Sequence, residues 1–545
     1  MCYNLAMHLF ILGRQPEIGL AELRAVFGDA KLITPTVALV PGEMVPNIDR
    51  LGSVRKSGRV IWDQPGEVGK FLIDKLEKLP PGKITLGISH YGKTASAASA
   101  RKTAAFLKKN LARSVRFLPN SAAEIADAAT LGNKLGSSPN KIELLMVYAG
   151  HRVIIAELTG VQNLNSYTLR DRGRPKRDAR VGMLPPKLAQ TMINLAVGAG
   201  ISPKLSSEDF LPSDSETYIP DATDRFVFAS EKNKIKDGSA GLPAYDVSGA
   251  DGSSEKTVLV KSGRTEKSFH AVVLGRPGTL LDPFCGTGVI LQEAALMGYQ
   301  VYGTDIEPRM ISYSGKNLQW LASKFPNATV QNLPTQLAVG DATQFNWKQW
   351  MRKTSDRHCE APAEAIQKNS LDRHDDKSSR DDNLINLVVT ETYLGQPYTT
   401  APPTEKLQQN ITTCNTIISK FLISLASQIT PKTGLCVAVP CWFLTHRTFH
   451  LPLVGTLTAL GYEQIFYSEV HPKPQTSAVA TTSRAGSALT SGGGVATEPR
   501  DDGREGVVRE SSAASAGKAI SQTSLIYHRE NQIVGRELLV LRKKS

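Results

Sequence analysis

The chain has 545 residues, of which 64 are Lys or Arg and 51 are Asp or Glu, so its formal net charge is +13. This length exceeds the roughly 250–300 residues at which one hydrophobic core stops growing, which argues against a single domain. The positive excess favours a polyanionic partner without identifying the polymer. Six cysteines occur without a Cys-x-x-Cys pair or the Cys/His spacing of a zinc site, so a reduced, cytoplasmic protein with no bound metal is expected.

The first predicted element is a short buried strand near the amino terminus. Its apolar run, LAMHLFILG, is too short to cross a bilayer and lacks the basic leader and cleavage site of a signal peptide. We therefore predict a strand over Leu9 to Leu12 and no membrane association. The next segment, PEIGLAELRAVFG, reads as a helix because Pro16 suits a first turn and Gly28 suits a helix end.

The first 202 residues divide into three regions. Residues 1–62 have the strand and helix pattern of a small α/β unit. Residues 63–160 combine the strand ITLGISHYG, a helix predicted from Ser96 to Arg116, and two apolar strands. Residues 161–202 form a linker that contains the basic run RDRGRPKRDAR and a further helix.

Residues 203–545 alternate strands and helices, a pattern that predicts a parallel, doubly wound sheet. The last two predicted strands, SLIYHRE and GRELLVLRKK, are joined by a turn too short for a helical crossover. We therefore expect an antiparallel hairpin at the sheet edge. Three polar, low-complexity stretches have few large apolar residues and are predicted to be mobile surface insertions; they are residues 203–267, 353–382 and 474–522.

The segment TLLDPFCGTGVILQEAALMG has the pattern of a ligand-binding glycine turn. An apolar strand ends at Asp282, Gly286 and Gly288 form the turn, and a helix begins at Val289. Leu291 occupies the place of the third glycine in a dinucleotide fingerprint, and no lysine follows the turn. These departures argue against a nicotinamide, a flavin and a nucleoside triphosphate, and leave an adenosyl ligand without a pyrophosphate.

Two further strands end close to an acid. The strand YQVYGT ends at Asp305, where one carboxylate can accept hydrogen bonds from both ribose hydroxyls. The strand that leads into GDAT places Asp341 where it can accept a hydrogen bond from an adenine amine. Because carboxyl ends of parallel strands meet at one edge of a sheet, these acids and Asp282 are predicted to line one ligand site.

The motifs DPFCGTG and GTDIEPRMISYSGKNL resemble the S-adenosylmethionine-binding half of the THUMP-containing tRNA guanine-N2 methyltransferases. GMLPPKLAQTMINLA is similar to the family's segment beside the cofactor, and SLIYHRENQIVGRELLVLRK to its closing hairpin. FILGRQPEIGLAEL and LGSVRKSGRVI resemble its amino-terminal domain. The resemblance implies a Rossmann-like, UPF0020-like methyltransferase domain over residues 203–545, a ferredoxin-like unit over 1–62 and a THUMP-like RNA-binding domain over 63–160.

The same resemblance implies a set of cofactor-binding residues. In it, Asp305 contacts the ribose and Asp341 the adenine of S-adenosylmethionine. Cys285 is interpreted as a small residue that fits the turn rather than as a nucleophile, and Phe284 is expected to pack. The full set is Asp282, Phe284, Cys285, Gly286, Gly288, Asp305 and Asp341.

The helix predicted over residues 96–116 has a basic face. At about 100° per residue, its six arginines and lysines fall within an arc of roughly 140°, and no acid interrupts them. Such a face is typical of phosphate binding, and it lies in the block where the family binds the tRNA acceptor end. The predicted RNA-binding residues are Arg101, Lys102, Lys108, Lys109, Arg113 and Arg116.

The strand LINLVV leads into the turn Thr390-Glu391-Thr392-Tyr393, where the family has Asp or Asn followed by Pro-Pro and an aromatic residue. In the family these residues hold the target amine and stack on the extracted base. Alignment on Tyr393 puts Thr390 in the position of the acid, whereas alignment on the acid selects Glu391. A structural alternative is that Glu391 caps a turn and Tyr393 packs.

The sequence therefore predicts a monomeric, cytoplasmic, S-adenosylmethionine-dependent enzyme that methylates the exocyclic amine of guanine in tRNA. One alternative is a methyltransferase acting on another base or on DNA, including one in which Cys441 attacks a pyrimidine ring. The other is a tRNA-binding protein that has lost the acceptor motif.

Overall fold

The computed structural model describes thirteen segments of the chain, which contain residues 6–42, 47–178, 183–200, 218–220, 226–228, 278–326, 328–330, 336–359, 384–398, 400–444, 447–467, 524–530 and 532–545. The predicted insertion 474–522 lies outside these residues, as does most of 203–267 and of 353–382.

The amino-terminal part is a mixed sheet with helices. Its strands are β1 (Met7–Leu12), β2 (Lys31–Thr34), β3 (Val37–Pro41), β4 (Val54–Trp62), β5 (Ile84–Gly92), β6 (Val115–Phe117), β7 (Lys141–Ala149) and β8 (Arg152–Val161). Its helices are α1 (Pro16–Phe27), α2 (Val68–Glu77), α3 (Ala97–Asn110), α4 (Asp127–Gly132) and α5 (Leu164–Arg172). The strand order is β2-β3-β1-β4-β8-β7-β5-β6.

The antiparallel pairing of β4 with β8 joins the first two predicted regions into one continuous sheet. As expected, Pro16 lies in the first turn of α1, and Gly28 ends that helix with φ 78°. One apolar cluster, which contains Leu9 and Leu145, packs on one face of the sheet. Another, which contains Leu72 and Leu107, packs between the other face and helices α2 and α3.

Helix α3 is shorter than predicted. Ser96 and Ser99 form a capping box at its start, but the helix ends at Asn110 and Leu111 has extended backbone angles. The chain then turns into β6, which pairs in parallel with β5. The prediction of one helix from Ser96 to Arg116 is therefore wrong over its last turn and a half.

Helix α6 (Pro186–Gly200) joins the amino-terminal sheet to the second sheet. Its side chains are buried on nearly every face, because it packs on α1 on one side and contributes to the core of the second sheet on the other. The buried carboxylate of Glu22, on α1, accepts hydrogen bonds from the Gly52 and Ser53 amides and from Asn194 Nδ2 on α6, at 2.7–2.8 Å. These polar contacts fix α6 against the amino-terminal unit.

The second sheet has the predicted doubly wound pattern. After a two-stranded ladder of β9 (Tyr218–Pro220) and β10 (Phe226–Phe228), its strands are β11 (Thr279–Asp282), β12 (Gln300–Asp305), β13 (Leu337–Val339), β14 (Leu387–Glu391), β15 (Gly434–Leu444), β16 (Arg447–Phe449), β17 (Tyr462–Gln464), β18 (Leu525–Tyr527) and β19 (Val534–Lys543). Its helices are α7 (Val289–Leu296), α8 (Pro308–Lys324), α9 (Trp347–Cys359) and α10 (Thr404–Ala426).

The strand order is β13-β12-β11-β14-β15-β19-β17, with the first five strands parallel and β19 antiparallel to β15. This topology confirms the Rossmann-like fold class. The closing hairpin also forms, since β18 pairs with β19. Its predicted place at the edge is wrong for β19, because β17 pairs with the outer side of that strand.

Helix α9 runs to Cys359, so the chain from Lys353 to Cys359 is helical rather than part of an insertion. Within the residues that the structure describes, no helix is long and apolar enough to span a bilayer.

Candidate functional site

The strand order of the second sheet reverses between β11 and β14. In open α/β sheets, ligands bind at such a point, outside the carboxyl ends of the strands. Asp282 ends β11, and Thr390 lies one residue before the end of β14. The Thr390 hydroxyl donates a hydrogen bond of 2.7 Å to Asp282 Oδ1, and both side chains are buried. This bond ties together the two strand ends that border the crevice.

Asp282 has an unusual protonation equilibrium. Burial raises the pKa of its carboxyl to about 8, although hydrogen bonds from the Thr390 hydroxyl and the Phe284 amide favour the charged form. The carboxyl is therefore mostly protonated at neutral pH. A cationic group placed beside it would shift it towards the ionised form.

The glycine turn fits closely against α8. Gly286 and Gly288 have φ values of 51° and 80°, in the left-handed region that favours glycine. A Cβ at Gly288 would lie 2.8 Å from Ser314 Oγ, whereas a Cβ at Gly286 would meet no atom within 4 Å. Ser314 Oγ also donates to the Gly286 carbonyl over 2.8 Å. The turn is thus fixed from the α8 side and open beside Gly286.

Asp305 is part of the same turn. Its Oδ2 accepts a hydrogen bond from the Gly286 amide and its Oδ1 one from the Glu307 amide, both at 2.9 Å. Burial raises the pKa of this carboxyl, and these two bonds oppose the increase. Each oxygen keeps a second acceptor position, which suits a pair of hydroxyl donors.

Asp341 has a clear local role. Its Oδ1 accepts hydrogen bonds from the Thr343 amide and hydroxyl, at 2.9 and 2.8 Å, and these bonds lower the pKa of the carboxyl. Asp341 therefore stays ionised and closes the turn that follows β13. This capping role does not occupy all of its acceptor positions.

Two further residues of the glycine turn are packing groups. Burial raises the pKa of the Cys285 thiol well above its usual value, so the thiol stays protonated, as expected of a residue that only fits the turn. Phe284 contacts Phe421 of α10 edge to face, with ring centroids 5.1 Å apart.

At the end of β14, three predicted catalytic residues have different environments. Thr390 is fully buried and its hydroxyl is engaged by Asp282. The Glu391 carboxylate forms an ion pair with Arg536 of β19, and its side chain is 15% exposed. Tyr393 is 38% exposed. Of the two sequence frames, the one that selects Glu391 puts the acceptor on a side chain that is partly exposed, whereas Thr390 is fully buried.

The segment after Tyr393 is held by helix α10. Gly395 has φ 80°, and a Cβ there would lie 2.3 Å from Asn410 Oδ1. That oxygen accepts a hydrogen bond of 3.2 Å from the Gln396 amide, and Asn410 Nδ2 donates to the Tyr398 hydroxyl at 3.2 Å. Asn410 thus fixes the course of the chain beyond the strand end.

Cys441, the alternative nucleophile, is buried within β15. Burial raises the pKa of its thiol far above its usual value, and the nearby Glu537 carboxylate adds to the increase. A thiol in this environment does not supply a thiolate, so the structure argues against the covalent alternative.

The structure divides the predicted RNA-binding residues into two groups. Arg101, Lys102, Lys108 and Lys109 are exposed on α3. Arg113 lies beyond the helix, and its guanidinium donates to four main-chain carbonyls at the end of α2, those of Leu76, Leu79, Pro80 and Gly82. It is a structural residue here rather than a free phosphate ligand.

Arg116 lies in β6, where neighbouring side chains alternate between the two faces of the sheet. Val115 and Phe117 pack with the cluster on the α3 side. Arg116 therefore projects to the opposite face, and the prediction of six basic groups on one helix face is wrong for this residue and for Arg113.

Sequence reasoning did not identify several residues that hold the site. Asn317 of α8 donates to the Thr287 carbonyl of the glycine turn and to the Lys176 carbonyl of the basic linker, each at 2.8 Å. Arg536 and Asn410 are the other two. The one sequence feature that could have indicated Arg536 is that two adjacent charged residues, Arg536 and Glu537, interrupt an apolar strand.

Residues 275–338 match the model of a known family, described as UPF0020: RMKL-like, methyltransferase domain. This segment contains the glycine turn, Asp282 and Asp305. The segment carries a methyltransferase-domain signature. The recognition of a methyltransferase domain is thus confirmed, while the THUMP-like assignment of residues 63–160 and the predicted domain boundaries stay predictions.

Two curated proteins named tRNA (guanine(10)-N2)-dimethyltransferase are similar over short segments. The one from Methanothermobacter thermautotrophicus is 60% identical over 40 residues, which are 7% of this chain and 12% of that protein. The one from Pyrococcus abyssi is 41% identical over 66 residues, which are 12% of this chain and 17% of that protein. The matches thus span less than a fifth of either relative.

The chain is similar to the solved structure of TrmN from Thermus thermophilus, with a TM-score of 0.39 and 11% identity over 98% of this chain and 99% of that chain. A predicted N6-adenine-specific DNA methylase from Listeria monocytogenes has a TM-score of 0.32 and 11% identity over 80% of this chain and 88% of that chain.

Proposed function

We propose that this chain is an S-adenosylmethionine-dependent methyltransferase that acts on the exocyclic amine of guanine in tRNA, as a monomer in the cytoplasm. The observation that carries the proposal is the arrangement at the switch point, where Asp282 is hydrogen-bonded to Thr390, Glu391 is ion-paired and 15% exposed, and Tyr393 is exposed. A cofactor side and an acceptor side thus meet at two adjacent strand ends. The names of the two curated relatives agree with this substrate.

The residues of the glycine turn fit the proposed cofactor. The open space beside Gly286 and the free acceptor positions of Asp305 suit a ribose approaching the turn. The protonated Asp282 carboxyl would ionise beside the positively charged ammonium group of the cofactor's methionine part. When bound, S-adenosylmethionine would supply an electrophilic methyl group.

On the acceptor side, the chain's own residues would hold the base. The Glu391 carboxylate would accept a hydrogen bond from the guanine amine and take the proton that leaves as the nitrogen is methylated. Tyr393, which is exposed beside it, would stack on the extracted base. The exposed basic residues of α3 would contact the RNA backbone, in a THUMP-like domain over residues 63–160.

The direct test is methylation of bulk tRNA with labelled cofactor, followed by nucleoside analysis. Glu391→Ala should lower the rate of N2-methylguanosine formation by about 100-fold or more, because it removes the hydrogen-bond acceptor. Tyr393→Ala should lower this rate by roughly tenfold, which corresponds to the free energy of stacking one base on an aromatic side chain. Cys441→Ala, a buried change that removes neither the proposed acceptor nor its partner Arg536, should leave the product unchanged.

Other outcomes would contradict the proposal. Label in 5-methylcytidine that is lost only in Cys441→Ala would indicate pyrimidine chemistry. Label in adenine, or in DNA offered in parallel, would change the substrate. Cofactor binding without any transfer would indicate a tRNA-binding protein.

A further inference from the structure

The carboxyl-terminal hairpin reaches the acceptor side of the site through one side chain. Arg536 lies on β19, and β15 separates this strand from β14, on which Glu391 lies. Neighbouring strands are about 4.8 Å apart, so the Arg536 side chain must cross a whole strand to reach the carboxylate. It does so and pairs through Nε with Glu391 Oε1.

This ion pair is largely withdrawn from water. The Arg536 side chain is 8% exposed and that of Glu391 is 15% exposed. A buried charge without a partner is strongly unfavourable, so the Arg536 guanidinium favours the charged form of the Glu391 carboxyl. Burial raises the pKa of the Glu391 carboxyl, and Arg536 is the main group that opposes this increase.

Two other titratable or charged groups face Glu391. The exposed Arg529, in the turn between β18 and β19, also favours the charged carboxylate. Asp282, on β11, is also close enough to interact electrostatically with Glu391, and its own carboxyl is mostly neutral at pH 7. Glu391 is therefore the anion of this cluster, and among these groups in the described part of the chain Arg536 is the one that forms an ion pair with it.

We propose that Arg536 is a positioning residue for methyl transfer, which holds the Glu391 carboxylate ionised and directed at the strand end so that it can accept a hydrogen bond from the target amine. The inference rests on the proposed function. It also gives the closing hairpin a role beyond completing the sheet, since the acceptor group would be incorrectly charged and oriented without this strand.

The test compares Arg536→Gln, Arg536→Lys and Glu391→Gln, and uses Arg542→Gln as a matched control. Arg542 lies on the same strand and pairs with Glu463 at 2.7 Å, but both partners are far more exposed. In Arg536→Gln, the acid limb of the rate profile for tRNA methylation should move up by about one pH unit or more. Cofactor affinity should not change. Arg536→Lys should shift the acid limb less than Arg536→Gln does, because lysine keeps the positive charge but lacks the planar guanidinium group.

Direct titration of the Glu391 carboxyl by carbon NMR provides a readout that does not depend on activity. Its midpoint should rise in Arg536→Gln and not in Arg542→Gln. In a Glu391→Gln background, Arg536→Gln should cause no further loss of transfer, because both changes remove the same interaction. Thermal unfolding of each variant separates these effects from loss of folding.

The two ways to fail are distinguishable. If the wild-type protein transfers no methyl group to tRNA, the proposed function is wrong, whatever the NMR titration gives. If it does transfer and Arg536→Gln keeps the wild-type pH profile and the wild-type Glu391 titration, Arg536 has only a structural role.

Discussion

Asp282 is 1% exposed at the end of β11, and burial raises the pKa of its carboxyl from 3.8 to about 8. Between these values the unfolded chain is ionised at this position and the folded chain is protonated. The folded state therefore loses stability as pH rises through this window, by about 1.4 kcal/mol per pH unit from this group alone.

Asp282→Asn should remove this loss, since the amide stays neutral and its oxygen can still accept from Thr390. We expect the variant to gain stability relative to the wild type between pH 5 and about pH 8 and to show no further gain above it. Denaturant unfolding across this range measures the difference, with the exposed Asp74→Asn as the control. A difference between Asp282→Asn and wild type that is the same at every pH would contradict the assigned pKa.

At this scale, the sequence could identify residues whose role is encoded locally. Asp282, Gly286, Gly288 and Asp305 lie in short motifs in which a strand end or a tight turn demands the residue type. Arg536 could not be found in that way, because it meets Glu391 from 145 positions further along the chain. The charged state of Glu391 thus depends on a strand pairing that residue spacing does not encode.

Helix α3 illustrates the same difference for whole elements. The basic and apolar periodicity continues past Asn110, so the sequence predicts a longer helix. In the structure, the Ala112 amide donates to Glu77 Oε1 over 2.7 Å, and Arg113 binds the carbonyls that end α2. These tertiary contacts replace the helical bonds of the predicted last turn and a half.

This shorter helix changes the expected RNA-binding surface. Replacing Arg101, Lys102, Lys108 and Lys109 with Gln should weaken tRNA binding and reduce the salt slope of log K by up to about 3, since about 0.7–0.9 is lost per phosphate contact. Arg113→Gln should instead lower thermal stability. Binding titrations at several salt concentrations measure the slope, and Lys78→Gln, at an exposed residue just after neighbouring α2, is the control. An unchanged slope in the fourfold variant would remove the RNA-binding role of α3.

On the scale of the whole molecule, the two sheets are joined by buried polar contacts as well as by α6. Glu22 connects α1 to Asn194 of α6, and Arg170 of α5 pairs with Glu293 of α7 at 2.7 Å, with both side chains nearly inaccessible. Such contacts hold the amino-terminal sheet at a fixed position relative to the second sheet. The sequence predicted separate regions but not this connection, because the partners lie 172 and 123 positions apart in the chain and no residue spacing encodes their pairing.

Glu22→Gln tests the connection. The carboxyl oxygens of Glu22 accept hydrogen bonds from the amides of Gly52 and Ser53 and from the side-chain amide of Asn194, so a glutamine must turn an NH₂ group towards one of these donors. We expect a loss of about 1–3 kcal/mol in stability, the cost of an unsatisfied buried donor. In hydrogen exchange, the Gly52 and Ser53 amides should lose protection. Methyl transfer to tRNA should fall more than cofactor affinity does, because the glycine turn lies on the other sheet.

The control is Glu17→Gln, on the exposed side of α1, which should change neither the protection of these amides nor methyl transfer. If Glu22→Gln leaves both amides protected and transfer unaltered, the position of the amino-terminal sheet depends on α6 packing alone.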